Sequence, residues 1–191
     1  PPRPQPPYWC SVLARALRPP DLTCTPVKRK DGAPDLAHSI VRIHAYHREY
    51  DVLRPFQQGS PQKGVGSGVV LEPALFNGDP HTLYILTCEH VVHAAHEVML
   101  VFPAHSREEH PATVLAVCGH TDLAVVSCRT EYNAAVPLAL GKSDELAQGD
   151  HVRAYGFPLS QHALKVTDGV YSGYQDRFLQ HSAPISPGNS G

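Results

Sequence analysis

The sequence predicts an all-β fold, and two observations support this prediction. From His38 onward, short apolar runs are separated by turns of glycine, proline and charged residues, which is typical of antiparallel strands. The chain shows neither a repeat of fixed short period nor the regular alternation of strands and helices that builds a parallel sheet. We therefore expect barrels of antiparallel strands.

The apolar runs fall into two sets. The first set would supply the six strands that close one barrel, at 38–47, 65–71, 82–87, 97–102, 112–118 and 122–128. The second set has four runs, at 136–140, 151–156, 163–171 and 177–182. A second six-stranded barrel would need about two more strands, so we expect the second barrel to be incomplete in this chain.

Composition narrows the possible classes of function. The 191 residues are 42% hydrophobic and 18% charged, with a formal net charge of −2, so no electrostatic attraction to nucleic acid is expected. No apolar stretch approaches the roughly 18 residues of a membrane helix, so no membrane span is expected either. Prolines are dense at the start of the chain, which predicts an N-terminal extension at 1–36 ahead of one domain at 37–191.

The cysteines indicate a reducing environment. Cys10, Cys24, Cys88, Cys118 and Cys128 form an odd set without a CxxC pair, which argues against a disulfide framework. Reduced, mostly buried thiols are expected, and they favour an intracellular compartment.

The first candidate for chemistry is Ser190, within the sequence PGNSG at 187–191. Small residues allow a tight backbone turn around an exposed hydroxyl. The backbone N–H groups of Gly188 and Ser190 could then form an oxyanion hole for a substrate carbonyl. Alone, the motif is equally typical of a β-turn with a solvated serine.

The second candidate is His90, which follows an apolar strand in the sequence LTCEHVV at 86–92. A serine hydroxyl needs a neighbouring base to take its proton, and histidine suits that role near neutral pH. His90, His93 and His96 recur at every third position, which raises a metal site as an alternative. Such a triplet would fan around a helix and has no HExxH pair, so we predict no metal and no other cofactor.

The third candidate is Asp122, at the start of the apolar strand that follows it. Its natural partner is a histidine N–H, although an exposed turn aspartate is an equal alternative on this motif alone. The chain order His, Asp, Ser is that of chymotrypsin-like enzymes, whereas α/β-hydrolases have the order Ser, Asp, His.

These segments, taken in order, make the sequence similar to the HtrA/Deg family of serine proteases across residues 59 to 191. The motifs that carry the resemblance are GSGVV at 66–70, LYILT at 83–87, HVV at 90–92, LGKSDEL at 140–146, AYGFP at 154–158, VTDGV at 166–170 and QHSAPISPGNSG at 180–191.

The resemblance implies two perpendicular six-stranded β-barrels of the chymotrypsin type, with the triad His90, Asp122 and Ser190 in the cleft between them. It further implies a serine endopeptidase that hydrolyses polypeptide substrates through an acyl-enzyme. Substrate-pocket residues carried over by the same resemblance are Ala183, Pro184 and Ile185, which suggest a small or apolar P1 side chain. No PDZ domain is visible, so neither an oligomer nor its regulation follows from the family.

Two further readings stay open at this stage. One is a protease-shaped binding or structural module whose activity has lapsed, although an intact set of catalytic residues argues against lapse. The other is an esterase or unrelated all-β protein, which the order of motifs disfavours. Cys88 and Glu89 depart from the family pattern just before His90.

Overall fold

The computed structural model describes residues 36–50, 53, 58–76, 81–129, 135–176 and 178–191. The predicted proline-rich extension therefore lies outside the described residues, apart from Leu36. Within the described part, no helix has the length and apolar character needed to cross a bilayer.

The first six strands close into a barrel, as the sequence predicts. Its strands, in chain order, are β1 (Ile40–Tyr50), β2 (Gln58–Leu71), β3 (Thr82–Thr87), β4 (Glu97–Val101), β5 (Glu109–Cys118) and β6 (Leu123–Arg129). All pairings are antiparallel, and the order around the barrel is β1-β2-β3-β6-β5-β4, with β4 returning to β1. One helical turn, α1 (Glu89–Val92), connects β3 to β4.

The barrel interior holds a continuous apolar core because side chains alternate between its two faces. The core is formed mainly by aliphatic residues of β1, β2, β3, β4 and β6 together with two valines of α1, and Ala112 of β5 packs against it. Its buried members are Val41, Ile43, Val70, Leu83, Ile85, Val91, Val92, Val98, Leu100, Phe102, Ala124, Val126 and Cys128. Val91 and Val92 thus anchor the helical turn that carries His90.

Three later strands form a separate sheet. They are β7 (His151–Gly156), β8 (Lys165–Gln175) and β9 (Phe178–His181), paired in that order. This is the partial second barrel that the sequence predicts. The predicted strand at 136–140 is wrong: this segment makes one parallel bridge, between Leu138 and Leu71, and otherwise runs as a connection. The apolar residues of this segment therefore indicate contact with the barrel wall, and they do not form a strand paired in a sheet.

The predicted start of β2 is also wrong, because the strand begins at Gln58 rather than at residue 65. Its polar first half pairs with β1 in a long hairpin, in which Pro61 lies opposite Arg48. A side-chain contact ties the barrel to the segment between β7 and β8. The buried side chain of Arg42 donates to the carbonyl of Ser160, 2.7 Å away, and to Nδ1 of His162, 2.9 Å away.

A charged cluster holds β1, β2 and β5 together on one side of the barrel. Glu109 accepts hydrogen bonds from Lys63 at 2.9 Å, from Tyr46 at 2.9 Å and from Nδ1 of His44 at 2.6 Å. Burial acts to raise the pKa of Glu109, but the bonds from Lys63, His44 and Tyr46 outweigh it and lower that pKa to about 2.

We expect Glu109→Gln to lower stability at neutral pH and to matter progressively less in acid. The pKa of Glu109 is lower in the folded protein than in the unfolded chain, so its carboxylate stabilises the fold above about pH 4.5. That contribution is lost as the pH falls toward about 2. Urea unfolding between pH 7 and pH 3 measures it. Glu108→Gln, at the exposed neighbouring position, is the control. A Glu109→Gln deficit that does not shrink with falling pH would contradict the assignment.

Candidate active site

His90 is fixed at the point where the barrel strand β3 gives way to α1. Cys88 lies in extended conformation before this helical turn, and Val91 directs its side chain into the core behind it. The first N–H groups of any helix lack partners within the helix. Here the N–H of Glu89 donates to the carbonyl of Asp122 at 3.2 Å. The N–H of His90 donates to the side-chain Oδ1 of Asp122 at 2.9 Å.

Asp122 therefore contacts the backbone and the ring of the same histidine. Nδ1 of His90 lies 2.6 Å from Oδ2 of Asp122, so the two carboxylate oxygens bind the residue at two points. Asp122 adopts a left-handed backbone with φ of 53°, a conformation that aspartate tolerates better than most residues. This tight turn before β6 aims the carboxylate at α1.

Electrostatics keep this carboxylate ionised. Burial acts to raise the pKa of Asp122, but the hydrogen bonds from the backbone and ring of His90, with a further one from the Cys88 thiol, hold that pKa below its ordinary value. An ionised Asp122 fixes the ring orientation with the proton on Nδ1, which leaves Nε2 free to accept a proton. The pair can thus act as an oriented general base.

Ser190 reaches this region through the backbone. Its carbonyl accepts a hydrogen bond of 2.6 Å from the N–H of Ser67 in β2. The hydroxyl of Ser67 donates to the carbonyl of Gly188 at 2.8 Å and accepts from the N–H of Phe157 at 3.2 Å. The carbonyl of Ser67 in turn accepts from the hydroxyl of Thr87 at 2.8 Å. Ser67 is 2% exposed, so these bonds are made away from water.

Two glycines are required by this packing. A Cβ at Gly66 would lie 2.5 Å from Val91 and 3.1 Å from the carbonyl oxygen of Ser190, so only glycine lets β2 pack this closely against α1 and the Ser190 segment. Gly188 has a φ of 96° and is buried, and a Cβ there would lie 2.4 Å from the carbonyl oxygen of Phe157. Hydrogen bonds among the described residues leave the N–H groups of Gly188 and Ser190 unoccupied.

The structure thus joins His90 directly to Asp122 and brings the Ser190 segment to the same side of the barrel. Within the described chain, the Ser190 hydroxyl makes no hydrogen bond to the His90 ring. The three predicted pocket residues follow β9 in the chain and differ in their surroundings. Ala183 packs closely over Gly169 of β8 and is buried, whereas Ile185 is 58% exposed.

Pro184 is held by its backbone, because its carbonyl accepts a hydrogen bond of 2.9 Å from the hydroxyl of Thr167. The alternative histidine triplet does not assemble. His93 instead pairs with Glu89, with Nδ1 and Oε1 2.6 Å apart, and the N–H of His96 donates to the carbonyl of Tyr46.

Two residues at this site were missed by sequence reasoning. Ser67 lies inside the GSG motif, whose glycines were noted but whose hydroxyl was not. Cys88 was treated as a departure from a pattern, yet its half-buried thiol donates to Asp122. Burial and the adjacent carboxylate both raise the pKa of that thiol. In the sequence, each residue could have been noticed as a polar side chain in or beside a motif: Ser67 within GSG and Cys88 two residues before His90.

Comparison with known proteins identifies the family and the fold. Residues 66–191 match the family described as a trypsin-like peptidase domain. A protein of Chlamydia pneumoniae named "Probable periplasmic serine endoprotease DegP-like" is 34% identical over 151 residues, which cover 72% of this chain and 28% of that protein. "Serine protease Do-like HtrA" of Lactobacillus helveticus is 34% identical over 137 residues, 66% of this chain and 31% of that protein. This chain spans about a third of the length of these relatives.

Solved structures share the fold. The structure titled "HtrA-type protease AlgW with decapeptide" superposes with a TM-score of 0.61 over 81% of this chain and 51% of that chain, at 24% identity. These findings confirm the predicted resemblance to HtrA/Deg proteases and the chymotrypsin-type fold. The word periplasmic in the name of the Chlamydia relative disagrees with the reducing compartment that the cysteines favour.

We expect Ser67→Ala to destabilise the protein by about 1–3 kcal/mol, because it leaves a buried carbonyl and a buried N–H without their partner. Urea unfolding measures this loss. Ser60→Ala, at an exposed position of the same strand, is the control and should change stability by less than about 0.5 kcal/mol. Equal stability of the two variants would show that the Ser67 hydroxyl does not hold the Gly188 segment.

Proposed function

The chain belongs to the trypsin-like peptidase family, and on that premise we propose that it is a serine endopeptidase that cleaves peptide bonds through an acyl-enzyme on Ser190. The observation that carries this proposal is the two-point contact between Asp122 and His90. The carboxylate binds the backbone N–H at 2.9 Å and the ring Nδ1 at 2.6 Å, which orients the imidazole as a base.

In the first step, the Ser190 oxygen attacks the substrate carbonyl carbon while Nε2 of His90 takes the hydroxyl proton. The carbonyl π electrons move to oxygen and form an oxyanion. Asp122 stays ionised and stabilises the imidazolium. The scissile C–N bond then breaks, and the imidazolium gives its proton to the leaving amine, which leaves an ester on Ser190.

The oxyanion would be bound by the N–H groups of Gly188 and Ser190. Support for this role comes from the left-handed Gly188, which turns the segment, and from the absence of competing partners among the described residues. Preorganised donors of this kind are worth about 3–4 kcal/mol of transition-state stabilisation each. Water then attacks the ester by the same route, with His90 again acting as base, and frees the acid product.

Polypeptides in extended conformation are the proposed substrates. A peptide strand can add its main-chain hydrogen bonds along a cleft between two β-structures. Ala183, Pro184 and Ile185 would border the P1 side chain. The small Ala183 and the exposed apolar Ile185 suit a small or apolar residue at that position. The AlgW neighbour was solved with a decapeptide, in keeping with such substrates.

Labelling of the full protein with a fluorophosphonate tests the proposal. We expect one label per chain at Ser190, no label in Ser190→Ala, and labelling slower by about 10⁴-fold in Asp122→Asn, where the ring loses its orientation. Ser186→Ala, four residues before the nucleophile, is the matched control and should label like the parent. A folded protein that takes no label would refute the active protease and support the lapsed binding module instead.

A further inference from the structure

Three metal-binding atoms converge at the edge of the candidate triad. The Cys88 sulfur, a ring nitrogen of His90 and a carboxylate oxygen of Asp122 all lie within 4.8 Å of one another. No other such group of three occurs among the described residues. This set differs from the histidine triplet that the sequence raised, since it joins the end of β3 to the turn before β6.

The chemistry of these atoms selects one class of ion. Sulfur, imidazole nitrogen and a carboxylate oxygen are ligands of Zn²⁺ and its neighbours, whereas Mg²⁺ and Ca²⁺ take oxygen ligands. Three protein ligands with a fourth position open to solvent are a common zinc arrangement. His90 is 54% exposed and Asp122 is 43% exposed, so an ion can enter from solvent.

Small movements would bring the atoms to coordination distance. Neighbouring ligands around a tetrahedral zinc lie about 3.3–3.7 Å apart, as follows from its bond lengths. The His90 ring and Asp122 carboxylate, now 2.6 Å apart, would open slightly, and the Cys88 thiol would move inward. Each is a side-chain rotation at a partly exposed position.

The negative charge of Asp122 favours a cation at the thiol. Beside a carboxylate, a bare thiolate is disfavoured, which protects Cys88 from alkylation and oxidation. A divalent cation makes the thiolate favourable, because its charge attracts the carboxylate and the thiolate together. Binding releases the thiol proton to solvent, and the imidazole proton passes from Nδ1 to Nε2 when Nδ1 coordinates the ion.

We propose that Cys88, His90 and Asp122 form an inhibitory site for Zn²⁺ and similar thiophilic divalent cations. The inhibitory part rests on the proposed peptidase function, whereas the binding part does not. An ion on Nδ1 removes the contact that orients the ring and places a proton on Nε2, the atom that must accept the serine proton. Bound Zn²⁺ would therefore prevent the proposed catalysis, because His90 cannot hold the ion and accept the serine proton at the same time.

Binding is tested first, in the Ser190→Ala variant of the full-length protein, with Co²⁺ as the spectroscopic substitute for Zn²⁺. We expect a thiolate-to-cobalt charge-transfer band that Zn²⁺ abolishes. The band should disappear when Cys88→Ala is added and persist when Cys128→Ala, which removes a free thiol at the far end of β6, is added instead. A band that survives Cys88→Ala, or no band in the parent, overturns the site.

Inhibition is tested second, by the rate of fluorophosphonate labelling at increasing Zn²⁺. Each variant is compared with its own metal-free rate. We expect Cys88→Ala to need at least tenfold more Zn²⁺ for half inhibition, because it lacks the sulfur ligand. Cobalt binding through Cys88 without inhibition of an active enzyme would refute the regulatory part. An enzyme that takes no label at all would refute the peptidase function, and the cobalt band would still decide the site.

Discussion

The position of the Ser190 segment relative to the His90–Asp122 pair depends on the backbone and hydroxyl of Ser67. This buried residue accepts a hydrogen bond from Thr87, the last residue of β3, and donates to the carbonyls of Gly188 and Ser190. These bonds resist breaking, because each broken bond would leave an unpaired group away from water. One residue of β2 therefore links the His90 side of the site to the Ser190 side.

Asp122 has a comparable role on the other side of the site. It accepts hydrogen bonds from the backbone and ring of His90 and from the Cys88 thiol, so one ionised group orients three donors. The same charge that orients the histidine would attract a divalent cation to the sulfur beside it. Orientation and metal sensitivity thus arise from one carboxylate.

Much of this fold could be predicted from local sequence, since the apolar runs of the barrel match the observed strands. The polar first half of β2 could not, because Pro61 and its neighbours resemble a turn and are strands only through pairing with β1. The segment 136–140 was wrongly predicted to be a strand for the opposite reason: it is apolar, but it makes only an isolated bridge and no continuous strand pairing. His90 and Asp122 were predictable from motifs, whereas the contact of Cys88 with Asp122 depends on two segments far apart in the chain.

The order of strands in the barrel also fixes an order of assembly. β1 to β6 are contiguous in sequence, and most of their pairings join consecutive strands, so this body can fold as a unit once Arg129 has been synthesised. The His90–Asp122 pair then exists before the segment bearing Ser190 leaves the ribosome. On the proposed peptidase function, a nascent chain at that stage would carry an oriented base without its serine, and activity would require the Ser190 segment to dock on β2.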